Sequence, residues 1–482
     1  MSDTPPPWRL GAAETAAAIR AGRLTAAEAI DAALDRMAEV NPALNAVVAP
    51  MAEAARARAA ALDAGRARGE PAGPLHGVPV TIKINVDQKG QATDNGVAAF
   101  RGLIAPADAP VVTNLLAAGA VPIGRTNTPE FSFRADTDNP LHGRTRNPWG
   151  DHVSPGGSSG GAGAAVMAGI GALAHGNDIG GSLRFPASAN GAVTVKPGLG
   201  RVPAFNPSQK AERGLLAQSM SVQGVLARSA ADLALALPAL MAPDPRDPFH
   251  VPLPYAGAPL PRPIRVAFTR ETFGTPLHPE VAAALDSAAQ ALCSAGYAVE
   301  EITPPAMPET ARTGYRALLG EVKALMGPDI EAHGSPAIQA LFREYFRQYP
   351  PLEGAELLRA MAERSRMARD WALFQQDYPL ALTPFLAHPF FAPDRDLEGA
   401  EGMTEALGSA VWSFAMNFLG LPAGNVPAGL ASLPQGPQPI GVQVVGPRWR
   451  EDLVVEALAA IEAQVGPMAP RLWARMTGGQ AS

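Results

Sequence analysis

Ser154-Pro155-Gly156-Gly157-Ser158-Ser159-Gly160-Gly161 is the stretch on which the reading of this chain turns. Four glycines around two adjacent serines let the backbone take positive φ and approach another group closely. A flexible linker shares that composition, but linkers are not normally followed by a small-residue run such as Ala162 to Ala168. The block also fits a nucleophile elbow, Gly156-Gly157-Ser158-Ser159-Gly160. An elbow needs a strand directly before it, and Arg146-Asn147-Pro148-Trp149-Gly150-Asp151 reads as a turn instead.

Downstream lies a second small-residue block, Gly176-Asn177-Asp178-Ile179-Gly180-Gly181-Ser182-Leu183-Arg184-Phe185-Pro186. Backbone N–H groups at Ile179, Gly180 and Gly181 can form a nest for a developing oxyanion, with Ser182 placed to attack. Asp178 and Arg184 flank Ser182 and can brace the loop as an ion pair. A tight structural turn has the same composition. Upstream, Pro74 to Lys83 reads as a turn followed by a short β-branched strand that ends on lysine. Lysine is almost never fully buried without a reason, and a buried amine loses its proton easily, which suits a general base. An ordinary strand-end lysine snorkelling to solvent fits the same position.

Around these blocks the chain has 482 residues, 45 acidic and 39 basic, for a formal charge of −6. No long basic run appears, so the composition argues against nucleic-acid binding. The apolar run Gly161 to Ala174 is too short to cross a membrane, and Met1 to Leu10 has no apolar signal core. A soluble, cytoplasmic protein is expected. The single cysteine, Cys293, excludes an intramolecular disulfide and any multi-cysteine zinc site, and it reads as a buried structural thiol on a helix. The eight histidines lack metal-ligand spacing, and there is neither a His-Glu-x-x-His nor a Gly-Lys-Ser/Thr phosphate loop, so no metal or cofactor is expected. His175, near the serine blocks, is the one histidine worth watching.

Helical spacing recurs at Glu14 to Gly22, at Thr25 to Val40 (with a Thr25/Glu28 capping box), and at Met51 to Ala67. It returns at Val111 to Ala118, Ala230 to Met241, Glu280 to Ala295 and through most of Ala311 to Gln375. Strand-like runs lie at Val121 to Gly124, Ile264 to Phe268, Ala298 to Ile302, Leu380 to Thr383 and Ile440 to Val445. A helix at Asp452 to Val465 closes the chain, and Pro243 to Pro263 is a proline-rich excursion. The pattern is one α/β domain with a helical insertion.

Together Lys83, the Gly-Gly-Ser-Ser-Gly-Gly block and Asp-Ile-Gly-Gly-Ser-Leu-Arg resemble the amidase signature family of Ser–cis-Ser–Lys hydrolases. Ser158 follows Lys83 by 75 residues and Ser182 follows Ser158 by 24, intervals that match the family pattern. Val40 to Ala46, Gly124 to Phe131, Gly420 to Ala423 and Gly441 to Pro447 extend the likeness over most of the chain. The resemblance implies a mixed central β-sheet sandwiched by helices in one amidase domain over 1–482. Its signature core would span about 75–205 and a helical insertion about 311–375. It also implies Ser182 as nucleophile, Ser158 as the bridging serine after a cis Gly157–Ser158 bond, and Lys83 as base. Ile179, Gly180, Gly181 and Ser182 would form the oxyanion hole, with Asp178, Arg184 and Ser159 in support. Ile84, Asp94-Asn95, Arg125 and Ala189-Asn190-Gly191 depart from common family residues without touching the trio.

The activity implied is hydrolysis of the C–N bond of a small-molecule carboxamide through a serine acyl-enzyme, aryl amides and anilides included. The alternative is the amidase-like subunit of a tRNA-dependent amidotransferase. No nucleic-acid or membrane partner is expected, and a homodimer is compatible with the sequence. The substrate pocket is expected to draw on Asp136 to His142, Leu318 to Phe346 and the aromatic stretch Phe385 to Phe391, where Phe385, His388, Phe390 and Phe391 lie.

Overall fold

The computed structural model describes residues 5–408 and 410–478. The first four residues of the Met1 to Leu10 segment therefore lie outside the described residues.

Thr25 caps the helix Ala26–Leu44 as its spacing predicts, with Glu28 completing the capping box. The chain elsewhere forms the strands β1 (Val47–Pro50), β2 (Pro79–Lys83), β3 (Val121–Thr126), β4 (Leu173–Asp178), β5 (Val193–Lys196) and β6 (Val222–Ala227). After them come β7 (Arg265–Phe268), β8 (Ala298–Glu301), β9 (Leu380–Pro384), β10 (Ala423–Leu433) and β11 (Gly436–Val445). All join one mixed sheet in the order β1-β3-β2-β4-β6-β5-β10-β11-β9-β7-β8. β2 runs parallel to both β3 and β4, while β4 and β6 are antiparallel.

Helices cover both faces of the sheet, which is why its central strands are buried on both sides. Val80 and Ile82 of β2 pack into the apolar cluster that includes residues of the helices Pro110–Ala117, Ala230–Leu240, Pro279–Ser294 and Glu451–Val465. By the two-residue period of a strand, Thr81 and Lys83 point to the opposite face. There the helices Gly160–Ala168, Met307–Leu325 and Val411–Leu419 contribute to the second cluster. Four helices, Met307–Leu325, Gly327–His333, Pro336–Gln348 and Gly354–Asp377, lie between β8 and β9.

Two expectations need correcting. Cys293 is exposed, not buried. Its helix buries Val281, Ala284, Leu285, Ala288, Ala291 and Leu292, a stripe that leaves residue 293 on the outer face. Finally, a helix at Met468–Gly478 follows Glu451–Val465, anchored where Trp473 Nε1 donates to the Met167 carbonyl at 2.8 Å. No helix of the described residues is long and apolar enough to cross a membrane.

Candidate active site

Lys83 ends β2 with its side chain wholly buried. Its Nζ lies 2.7 Å from Ser158 Oγ, 3.0 Å from Ser159 Oγ and 2.9 Å from Asn177 Oδ1. Loss of water pushes the amine well below the usual lysine range, and the Asp178 charge only partly opposes that shift. Behind it, the Lys83 backbone N–H donates to His175 Nδ1 at 3.4 Å. The proton of a neutral His175 must then sit on Nε2, which donates to Gln223 Oε1 at 2.9 Å. Burial holds this imidazole neutral, with a pKa near 3.

The Gly157–Ser158 peptide bond is cis. Gly157 is packed so closely that a Cβ there would lie 2.2 Å from the Arg134 carbonyl oxygen. Thr137 Oγ1 donates to the Gly156 carbonyl at 2.7 Å, and Thr128 Oγ1 donates to the Ser158 carbonyl at 2.9 Å. The chain then enters the buried helix Gly160–Ala168. Glycine is required at its start: a Cβ on Gly161 would meet the Asn127 backbone at 2.5 Å.

Ser182 sits on the loop that leaves β4 and is half-buried, as are Ile179 and Gly180 beside it. Ser159 N–H donates to the Ser182 carbonyl at 3.2 Å, which joins the two serine blocks. Asp178 and Arg184 form the expected ion pair at 2.9 Å with both side chains fully buried. Burial alone would raise the Asp178 carboxyl, but Arg184 outweighs it and holds the group near pKa 2. Asp178 also accepts from the Gly181 and Leu183 amides at 2.8 and 3.1 Å. That corrects one expectation: the Gly181 N–H is committed to a carboxylate and is not free for a ligand. Among the described residues, the amides of Ile179, Gly180 and Ser182 have no such partner.

A model of the amidase family matches residues 28–455. The chain belongs to the amidase family. This amidase hydrolyses the C–N bond of small carboxamides. It is 47% identical over 472 residues to an indoleacetamide hydrolase of Bradyrhizobium diazoefficiens, covering 98% of this chain and 89% of that protein. It is 32% identical to a glutamyl-tRNA(Gln) amidotransferase subunit of Deinococcus radiodurans, covering 94% of this chain and 96% of that one. The solved structure of a substrate complex of 6-aminohexanoate cyclic dimer hydrolase superposes with a TM-score of 0.82 at 28% identity, covering 97% and 99% of the two chains.

Several polar partners of the amidase site were missed by sequence reasoning. Asn85 and Asn177 pair reciprocally: Asn177 Nδ2 donates to Asn85 Oδ1 at 2.9 Å, and Asn85 Nδ2 to Asn177 Oδ1 at 3.3 Å. Asn85 Nδ2 also donates to Ser132 Oγ at 2.9 Å, and Ser132 lies 2.8 Å from Thr128 Oγ1. Beyond the serine loop, the Arg184 guanidinium reaches Asn417 Oδ1 and Gln443 Oε1 at 2.5 and 2.9 Å.

The expected pocket stretches separate. Phe385 and Phe390 pack edge-on against Phe185 and are buried, as is Phe391, so they are core. Asp136, also buried, pairs with Arg144 at 2.6 Å and accepts from Ser154 Oγ at 2.6 Å, bracing the approach to Ser158. His142 is tied to Asp94 at 3.1 Å. From Leu318 to Phe346, Tyr345 O–H reaches the Phe133 carbonyl at 3.0 Å, close in sequence to Ser132.

Proposed function

We propose that Ser182 is the nucleophile, Ser158 the proton relay and Lys83 the base, acting on a primary amide whose acyl part carries a flat aromatic ring. The observation that carries the relay is the 2.7 Å contact between the fully buried Lys83 amine and Ser158 Oγ. As a neutral amine, Nζ donates to Asn177 and Ser159 and keeps a lone pair for the Ser158 hydroxyl proton. Ser182 Oγ attacks the carbonyl carbon. Its proton passes to Ser158 Oγ as the Ser158 proton passes to Nζ. The oxyanion takes the unpartnered amides of Ile179, Gly180 and Ser182. On collapse the C–N bond breaks, and the proton returns from the Lys83 ammonium through Ser158 to the leaving nitrogen. Water then attacks the acyl-enzyme over the same relay and releases the acid.

Support for an arylacetamide-type substrate comes from the 47% identity to the indoleacetamide hydrolase. The test is a hydrolysis panel of arylacetamides, anilides, aliphatic amides and matched esters, with Ser182→Ala as the blank. Turnover of arylacetamides that falls by about 10⁴-fold or more in the blank supports the reading. Retained activity in Ser182→Ala overturns it. The likeness to the glutamyl-tRNA(Gln) amidotransferase protein favours a second reading, as the amidase-like subunit of a tRNA-dependent amidotransferase. That reading gains if the isolated chain is silent on the whole panel and active only once partner proteins are added.

A further inference from the structure

The loop Gly180–Gly181 is clamped between two aromatic rings. A Cβ on Gly181 would meet Phe185 at 2.5 Å, and one on Gly180 would meet Phe414 Cε1 at 2.6 Å. Phe185 is only 3% exposed and belongs to the core, whereas Phe414 is half-buried, like Ile179, Gly180 and Ser182 beside it. Phe414 lies on the helix Val411–Leu419, next to Ser413, whose hydroxyl donates to the Gly180 carbonyl at 3.0 Å. That bond fixes the helix against the loop and with it the height of the ring.

Phe414 is also the first member of an aromatic arc. Its centroid is 4.5 Å from that of Tyr315, and Tyr315 lies 6.1 Å from Tyr345 and 4.5 Å from Tyr349. Tyr345 packs 5.7 Å from Phe342, which packs 5.1 Å from Phe133, the neighbour of Ser132 in the Lys83 network. The arc thus runs from the oxyanion loop to the lysine side of the site. Within it the Tyr345 hydroxyl is committed, donating to the Phe133 carbonyl at 3.0 Å, and Tyr315 is buried among the rings. The side chain beside Gly180 is the Phe414 ring, an apolar surface that suits an uncharged flat group.

We propose that Phe414 is a specificity-determining residue: its ring, held against Gly180, is the surface on which the aromatic acyl group of the substrate packs as its carbonyl reaches the oxyanion amides. This rests on the aryl-amide reading above. Glycine at 180 then does two things, leaving an amide free and letting the ring come close enough to touch a ligand bound there.

The experiment compares kcat/KM for an arylacetamide and for an aliphatic amide of similar length, in the wild-type chain, F414L, F414M and F414Y. Thermal unfolding of each variant confirms that it is folded. F414M keeps an unbranched apolar chain if F414L fails to fold. The expected result is a fall of about ten-fold or more in the aryl-to-aliphatic ratio for F414L and F414M, expressed mainly in KM, with the ratio restored in F414Y. An unchanged ratio, with both substrates losing activity equally, overturns the assignment of Phe414. If the wild-type chain hydrolyses aliphatic amides but no aryl amide, the aryl-amide reading itself fails, and the role of Phe414 with it.

Discussion

Lys83 Nζ lies 2.7 Å from Ser158 Oγ, and neither side chain reaches bulk water. In that setting an ammonium is costly, which is what the proposed transfer of a proton from oxygen to nitrogen requires of a base at rest.

With Lys83 as the proposed base, activity needs its amine neutral, and kcat/KM is expected to rise with pH along a limb well below the range of a free lysine amine, whose ordinary value is 10.5. Lys83→Met is expected to lose about 10²–10⁴-fold and to lose that limb as well. A pH–rate profile of both proteins checks this. Survival of the limb in Lys83→Met assigns it to another group.

Gly157→Ala places a methyl group 2.2 Å from the Arg134 carbonyl oxygen and 2.8 Å from the Ala135 carbonyl carbon, both backbone atoms that cannot swing aside. Destabilisation of about 2 kcal/mol or more is expected, with loss of activity as Ser158 shifts. Gly102→Ala, which meets nothing within 4 Å, is the control and is expected to stay within about 0.5 kcal/mol. Urea unfolding and turnover of both variants decide the matter.

Asp178→Asn removes the partner of a fully buried guanidinium and is expected to cost about 3–5 kcal/mol. The sign with pH follows from the folded carboxyl near pKa 2 against an ordinary 3.8. Because the folded value is lower, the contribution is fully present above about pH 4 and disappears as pH falls toward 2. It amounts to roughly 2 kcal/mol. Acid titration of stability should show this loss in the wild type and not in Asp178→Asn.

Lys196 is fully buried, donates at 2.9 Å to the Pro197 carbonyl, and is pushed down by burial and by Arg184 to a pKa of about 7, against an ordinary 10.5. Here the unfolded chain holds the proton more tightly, so stability rises with pH between about 7 and 10.5. Lys196→Met is expected to raise the melting temperature at and below pH 7, removing a penalty on the order of 4 kcal/mol, and to confer less at pH 10. Calorimetry at the two pH values checks it. A gain that does not shrink with pH points to packing rather than charge.

Local chemistry was legible in the chain. Thr25 and Glu28 announced a helix start, β2 ended on a lysine, and Asp178 and Arg184 flanked Ser182 at a separation that a tight loop closes into an ion pair. β1, β4 and β6 were harder to read. β4 mixes Gly176, Asn177 and His175 with apolar residues, so it shows no alternation, and only its pairing with β2 and β6 makes it a strand. Cys293 was misplaced because a small sulfur side chain suits either face of a helix, and packing chose the outer one.

By itself, then, the sequence was enough to point to the family, through its resemblance, and to nominate Lys83, Ser158 and Ser182 for the proposed relay, because the motifs that carry them are contiguous stretches readable along the chain. Tertiary structure alone decided what each of them touches. Asn177 comes within 2.9 Å of Lys83 Nζ, the Gly181 amide is taken by Asp178, and Phe414, 234 residues beyond Gly180, closes on that glycine. The first and last of these contacts join residues remote along the chain, and only the folding of the sheet and the helices on its two faces brings them to one place.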